Sequence, residues 1–158
     1  NSKTNVTHAI CKLYSMYDEN NLPNVKLLIG SLHWLRRVRN SCAHNERVYC
    51  IHQTQARNNT ASGRILDPYY EQLPRAYSRC TEKNIFDILI YFKYFLPKGE
   101  FTQMITEIKN MLTELQSALH PNAFANVRGQ MGIRDLSILD TLISLPKAKI
   151  EYHKFDTL

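Results

Sequence analysis

Helical periodicity is the feature that most constrains what this chain can fold into. Between Phe101 and Leu119, apolar side chains recur every three or four residues until Pro121 interrupts the pattern. That spacing gathers them on one face of an amphipathic helix. A second stretch, Ile85 to Leu96, is apolar on nearly every side, and its twelve residues favour a buried helix over a buried strand. Together the two patterns predict a helical protein whose central helix spans Ile85 to Leu96.

Three further segments carry helical signals. The apolar spacing predicts a first helix from Asn5 to Tyr17. Pro23 suits the first turn of a second helix that continues at least to Arg39. A short last helix is predicted from Asp135 to Ser144. In the second helix, the stripe expected to face the core consists of Val25, Leu28, Ile29, Leu32 and Leu35.

The segments between these helices read as irregular structure. Val48 to Ser62 is polar and predicts a surface loop after the second helix. Ile65 to Tyr77 contains two prolines, which allow only short helical turns that pack on the body of the protein. With only 5 glycines and 6 prolines in 158 residues, a turn-rich sandwich or barrel is disfavoured. We therefore expect residues 1–158 to form a single all-α domain, a helical bundle with an irregular loop after its second helix. The side chains expected to pack in the proline-containing segment are Tyr69, Tyr70, Leu73 and Tyr77.

Positive charge is concentrated in one part of the chain. The formal net charge is +6, and the window from residue 36 to 64 holds six arginines and one glutamate, a net +5. Guanidinium groups match phosphate oxygens in a two-point geometry, so this window predicts a phosphate-bearing partner. A solvated charged face is the alternative that charge alone leaves open. The arginines are Arg36, Arg37, Arg39, Arg47, Arg57 and Arg64.

Several classes of protein find no support in this sequence. Four scattered cysteines in a chain of this size fit reduced thiols in the cytoplasm better than a disulfide framework. No apolar run is long enough to cross a bilayer, so we expect no membrane contact. Paired carboxylates at usable spacing, a glycine-rich phosphate loop and a G-x-S-x-G elbow are absent, which argues against glycosidases, nucleoside triphosphatases and esterases.

The segment RRVRNSCAHNERVYC, residues 36–50, carries the chemically informative groups. It places Arg39 and Asn40 ahead of His44 in the pattern R-N-x-x-x-H. An imidazole with a pKa near neutrality can take a proton from a ribose 2′-hydroxyl or give one to a leaving oxygen. A guanidinium can hold the phosphate and stabilise the charge that develops on it. These residue types are those needed to cleave RNA without a metal or cofactor.

Helix geometry separates the residues of this motif. In a straight helix, the side chains of Arg36, Arg37, Asn40, His44 and Arg47 share a polar face within roughly 100° of arc. Arg39 points roughly 140° away from His44, toward the side of Leu28, Leu32 and Leu35. Either the helix bends or ends between Arg39 and His44, or a second copy of the chain completes the site across a two-fold axis.

Less specific interpretations of the same residues stay open. His44 can be a surface histidine at a helix end, and Arg39 can pair structurally with a carboxylate. Cys42, His44, Cys50 and His52 form a string of metal-binding residue types, but its spacing matches no common zinc pattern and would occupy the histidine needed for catalysis. The aromatic residues that can stack on bases, but more commonly pack in a core, are Trp34, Tyr49, Tyr69 and Tyr70.

The string LRRVRNSCAHNERVY resembles the R-x(4-6)-H signature of the HEPN superfamily, with Asn directly after Arg. It is similar in particular to the Abi-like (AbiD/AbiF) abortive-infection family. Met131, Gly132 and Ile133, ahead of the last helix, resemble the M-G-F/I segment near the C-terminal end of those proteins. The resemblance covers residues 27–145. Family members are generally longer at the N-terminus, so this chain is expected to be a C-terminal portion.

The resemblance implies a HEPN-like helical fold and a function. It implies a homodimer acting as a metal-independent endoribonuclease toxin in phage defence, leaving 2′,3′-cyclic phosphate ends on its RNA. His44 is then the acid or base, Arg39 the phosphate ligand or motif anchor, and Asn40 the group that orients the motif. To these the helical face adds Arg36, Arg37 and Arg47 as phosphate contacts. An antitoxin protein or a noncoding RNA is an open further partner, and a non-catalytic HEPN module that binds RNA or protein is the alternative function.

Overall fold

The protein is all-α, as the periodicity predicts. The computed structural model describes residues 2–18, 20–52, 69, 72–74, 77 and 83–146. These residues form six α-helices and one 3₁₀ turn, and none of them belongs to a β-strand. The helices are α1 (Ser2–Leu13), α2 (Val25–Ala43), α3 (Ile85–Phe95), α4 (Lys98–Ala118), α5 (Pro121–Gln130) and α6 (Ser137–Ser144), and the 3₁₀ turn spans Val48–Cys50.

The connection between α1 and α2 is built by side chains that satisfy backbone donors. The first helix ends at Leu13, earlier than the predicted Tyr17, because Ser15 adopts a left-handed conformation with φ of 59°. The carboxylate of Asp18 then accepts the backbone N–H groups of Asn20 and Leu22, each at 2.9 Å. The Asn24 side chain accepts the N–H of Leu27 and so caps the start of α2.

The central helix α3 lies in the core, as its all-round apolar sequence predicts. It contacts α2, α4 and the 3₁₀ turn. Tyr69, Leu73 and Tyr77 from the proline-containing segment are also buried, as predicted. Tyr70, residues 65–68, 71 and 75–76 of that segment, and the loop from residue 53 to 62 lie outside the described residues. The buried apolar residues of α3 are Phe86, Ile88, Leu89, Ile90, Tyr91 and Tyr94.

Asn84 ties the start of α3 to two distant parts of the chain. Its side chain accepts the Phe86 N–H at 3.0 Å, while Asp87 accepts the Asn84 N–H at 2.7 Å, a capping box. Its carbonyl accepts the indole N–H of the buried Trp34 on α2 at 3.1 Å. Its amide also lies against Gly132, where an added Cβ would come within 2.2 Å of the amide atoms. The helix that carries the R-N-x-x-x-H motif is therefore connected to the M-G-I segment through Asn84.

Helix α5 is absent from the sequence prediction. Pro121 reads as the end of the preceding helix, and it does follow α4, but it also occupies the first turn of α5. Proline is well suited to that position because its missing N–H has no partner in the first helical turn. The imidazole Nδ1 of His120 accepts the Asn122 N–H at 3.3 Å and caps the new helix. The segment is only weakly amphipathic, with Phe124 as its one buried residue, so its apolar pattern does not predict a helix.

The predicted apolar stripe of α2 is partly wrong. Leu28 is buried, but Ile29 and Leu32 are 58% and 50% exposed. The buried face instead includes Ser31 and Ser41, two small residues that allow close packing. The Ser31 hydroxyl donates to the Leu28 carbonyl at 2.9 Å, so its burial leaves no polar group unsatisfied. The helix is rotated relative to the hydropathy pattern, leaving an exposed stripe of Ile29, Leu32, Arg36, Arg39 and Ala43.

Within the described residues, none of the helices combines the length and apolar character that crossing a membrane requires.

Candidate functional site

The polar face of α2 forms one wall of a cavity of about 670 Å³. The other wall comes from the chain that follows the helix, which turns back and passes through the 3₁₀ turn. The lining residues are His33, Arg36, Arg37, Asn40, Ser41, His44, Glu46, Arg47, Cys50, Ile51 and His52.

Helical spacing explains the first wall. His33, Arg37, Asn40 and His44 follow one another at intervals of four, three and four residues, which places them on one face over three turns. The helix stays regular through Ala43, so His44 continues that face although it is the capping residue. Its backbone N–H donates to the Asn40 carbonyl at 3.0 Å.

The end of α2 reverses the chain and returns it to the cavity. Asn45 has a φ of 54°, and its N–H donates to the Cys42 carbonyl at 3.2 Å. The Glu46 N–H donates to the Ser41 carbonyl at 2.9 Å. These paired bonds form a Schellman motif with asparagine in the left-handed position. The reversal explains how Glu46 and Arg47 line the same cavity as the helix that precedes them.

The second wall is ordered by short-range hydrogen bonds. The Cys50 thiol donates to the Arg47 carbonyl at 3.0 Å, and the Cys50 carbonyl lies 3.0 Å from Nδ1 of His52. The Ile51 N–H donates to the Val48 carbonyl at 3.1 Å, and Ile51 itself is buried. The 3₁₀ turn packs on α2, α3 and α5, so this wall rests on the core.

Two of the guanidinium groups are positioned by neighbours on α2. Nη2 of Arg36 lies 3.2 Å from Nε2 of His33, and since arginine is always a donor, this imidazole nitrogen accepts. The guanidinium carbon of Arg37 lies 5.5 Å from the centre of the Trp34 ring, a cation–π distance. Trp34 is buried and bonded to Asn84, so it offers a fixed support for Arg37.

The charge of the lining suits an anion. Three arginines and three histidines line the cavity, against Glu46 as its one carboxylate among the described residues. In the described ranges, no three or more His, Cys, Asp or Glu side chains are arranged to hold a metal ion. The side chains of Cys42, His44, Cys50 and His52 therefore do not form such a group. Cys42 is exposed on α2 and Cys50 lines the cavity as a free thiol. Guanidinium groups bind phosphate oxygens in a two-point geometry, so a phosphate-bearing ligand fits this lining.

The structure brings together five of the six residues singled out by the sequence. Arg36, Arg37, Asn40, His44 and Arg47 all line the cavity. Arg39 does not. It lies on the exposed stripe of α2 beside Leu32, separated from His44 as helix geometry predicts, but this side of the helix faces solvent and is not buried with Leu28. The end of the helix after Ala43 does not bring Arg39 to His44 within one chain.

The sequence predicted no catalytic role for two of the cavity's histidines, His33 and His52, and His52 was considered only as part of a metal-binding string. The interval of eleven residues between His33 and His44, three helical turns, is a signal that could have found His33. No periodicity connects His52 to His44, because its position depends on the chain reversal after α2. Of the aromatic residues considered for base stacking, Trp34 and Tyr69 are buried. Tyr49 is half-buried in the 3₁₀ turn.

Comparison with protein-family models gives no match, and comparisons with curated proteins and with solved structures give no significant match either.

Proposed function

We propose that this protein is a metal-independent endoribonuclease of the HEPN superfamily, similar to the Abi-like family, that acts as a phage-defence toxin on cytoplasmic RNA. The observation that carries the proposal is the cavity in which His44 and Asn40 lie with the guanidinium groups of Arg36, Arg37 and Arg47. A proton-transfer group beside a cluster of phosphate-binding cations is the minimum that RNA transesterification requires. The resemblance of residues 35–49 to the R-x(4-6)-H signature supports the same assignment.

In this proposal the phosphodiester binds among the arginines with its ribose toward His44. The imidazole exchanges a proton with the reacting oxygens, and the guanidinium groups stabilise the charge that grows on the phosphorus oxygens. The products are a 2′,3′-cyclic phosphate and a 5′-hydroxyl. The test is cleavage of RNA by the purified protein in EDTA, read by these product ends.

The position of Arg39 supports a composite site. It shares the exposed stripe of α2 with Ile29 and Leu32, which expose apolar surface with no partner among the described residues. Two copies packed about a two-fold axis along this stripe would bury Ile29 and Leu32. Because Arg39 lies on the same stripe, the proposed packing also places it at the interface between the copies, where it can serve the cavity of the partner. Dimerisation through α2 therefore accounts for both the apolar exposure and the missing arginine.

A mixture of two inactive variants tests the composite site. We expect Arg39→Ala and His44→Ala to be inactive alone and to recover about a quarter of the wild-type rate when mixed at equal amounts and allowed to exchange. Half of the dimers are then mixed, and each mixed dimer keeps one intact site. An inactive mixture whose subunits do exchange would show that Arg39 and His44 act within one chain.

A matched pair of surface variants controls this experiment. Ile29→Asp in both chains should abolish dimerisation and the recovery of activity, because it places a charge in the interface. Met111→Asp changes an equally exposed apolar residue, 59% against 58%, on α4 outside the stripe and should leave both unchanged. Dimers of Ile29→Asp that survive in solution would exclude this interface.

The cavity should also make RNA binding depend on salt. We expect Arg47→Gln to weaken binding of single-stranded RNA and to reduce the slope of log affinity against log salt by about 0.7, the contribution of one phosphate contact. Lys12→Gln removes an exposed cation on α1 outside the cavity lining and should leave the slope unchanged. Equal slopes for Arg47→Gln and wild type would show that Arg47 does not contact the RNA phosphates.

The second candidate function is a non-catalytic module that binds RNA. The observation in its favour is that Arg39 does not line the cavity of its own chain. The binder and the nuclease share the arginine cluster, so both predict salt-sensitive affinity. They differ in cleavage: the binder leaves RNA intact, whereas the nuclease cuts it and loses that activity with His44→Ala.

A further inference from the structure

His52 lines the same cavity as His44 and lies on the wall that follows the 3₁₀ turn. Its Nδ1 lies 3.0 Å from the Cys50 carbonyl oxygen. A carbonyl only accepts hydrogen bonds, so Nδ1 must carry the hydrogen. This bond fixes the tautomer and the ring orientation, and it leaves Nε2 as the nitrogen available for proton exchange.

Transesterification of RNA needs two proton transfers, and a single imidazole can carry out only one of them at a time. The 2′-hydroxyl must lose a proton as it attacks, and the leaving 5′-oxygen must gain one. Of the other titratable side chains lining the cavity, His33 has its Nε2 occupied by Arg36, the Cys50 thiol donates to the Arg47 carbonyl, and Glu46 is an acceptor when ionised. His52 is the remaining imidazole in the lining whose Nε2 has no bond to a described residue.

We infer that His52 is the general acid that completes this site, with His44 as the general base. This inference rests on the proposed ribonuclease function and assigns it a second catalytic residue. Because both histidines line the cavity of one chain, the proton-transfer pair does not require the second copy. The second copy supplies Arg39 alone.

Neutral His44 takes the proton of the 2′-hydroxyl, and the 2′-oxygen forms a bond to phosphorus. The bond between phosphorus and the 5′-oxygen breaks, and that oxygen takes the proton from Nε2 of the His52 imidazolium. The site ends with His44 protonated and His52 neutral, and exchange with solvent restores the starting state. Arg36, Arg37 and Arg47 hold the phosphate throughout.

The test uses the variant His52→Asn and a substrate with a modified leaving group. The Asn amide nitrogen takes the place of Nδ1 and can keep the bond to the Cys50 carbonyl, while Nε2 is lost. The substrates are an RNA oligonucleotide and its counterpart with sulfur in place of the bridging 5′-oxygen. A departing thiolate needs no proton, so this substrate does not depend on the general acid. His8→Asn, on α1 outside the lining, is the matched control.

We expect His52→Asn to cleave ordinary RNA about 10²–10⁴-fold more slowly than wild type and the sulfur substrate at nearly the wild-type rate. His44→Ala should be slow on both substrates. A wild-type rate for His52→Asn on ordinary RNA, or an equal loss on both substrates, would overturn the assignment while leaving the nuclease intact. Failure of the wild-type protein to cut either substrate would overturn the proposed function and this inference together.

Discussion

Replacing His44 with alanine is expected to slow RNA cleavage by about 10²–10⁴-fold, the usual contribution of one general acid or base. His44 is exposed at the end of α2, and the bonds that terminate the helix there come from backbone groups. Alanine can make the same backbone bonds, so the fold and the arginine cluster should persist. The measurement is the single-turnover cleavage rate, taken together with RNA affinity and circular dichroism.

The control for this variant is His8→Ala, which removes a histidine from α1 outside the cavity lining. It should cleave at the wild-type rate. RNA affinity should be similar in wild type and both variants, because the arginines provide the phosphate contacts. If His44→Ala cleaves as fast as His8→Ala, the imidazole of His44 takes no part in the reaction.

The second large effect is on stability. Gly132→Ala is expected to lower the free energy of unfolding by about 3 kcal/mol or more. Gly132 has a φ of 78°, a conformation that is costly for alanine, and its added Cβ would collide with the Asn84 amide at 2.2 Å. Moving Asn84 would disturb the cap of α3 and the bond to Trp34. Denaturant unfolding measures the loss.

Gly129→Ala is the matched control three residues earlier. It lies inside α5, where an added Cβ meets nothing within 4 Å. Alanine is the better helix former there, so we expect this variant to gain about 0.5–1 kcal/mol. Equal stability of Gly132→Ala and Gly129→Ala would contradict the close approach of Gly132 to Asn84.

The angular arrangement of the motif could be predicted because it depends on local geometry alone. Helix α2 is regular through Ala43, so a period of 3.6 residues places Asn40 and His44 on one face and Arg39 on another. The central position of α3 also followed from its composition, since no side of that helix is polar enough for solvent. Both features are properties of short continuous segments.

The features that the sequence did not predict depend on contacts between distant segments. Hydropathy placed Ile29 and Leu32 in the core, whereas packing against α1 and α3 buries Ser31 instead. His52 reaches the cavity through a chain reversal that begins with the left-handed Asn45. A positive φ at asparagine is allowed but not obligatory, so the sequence alone does not fix that reversal.

The M-G-I segment has a structural role that its resemblance alone does not explain. The Met131 carbonyl accepts the Phe86 N–H at 3.0 Å, and Ile133 is fully buried. Gly132 between them allows Asn84 to approach. Because Asn84 also holds Trp34, and Trp34 supports Arg37, the segment helps to fix the wall of the cavity from the opposite end of the chain.

The measurement that tests the central claim most directly is the fate of a labelled RNA oligonucleotide incubated with the purified protein in EDTA. Its control is the same oligonucleotide with 2′-deoxyribose at every position. We expect cleavage of the RNA alone, with 2′,3′-cyclic phosphate and 5′-hydroxyl ends, because the 2′-oxygen is the nucleophile and no metal takes part. Intact RNA that is nevertheless bound in a salt-sensitive manner, or cleavage of the deoxy control, would contradict the account.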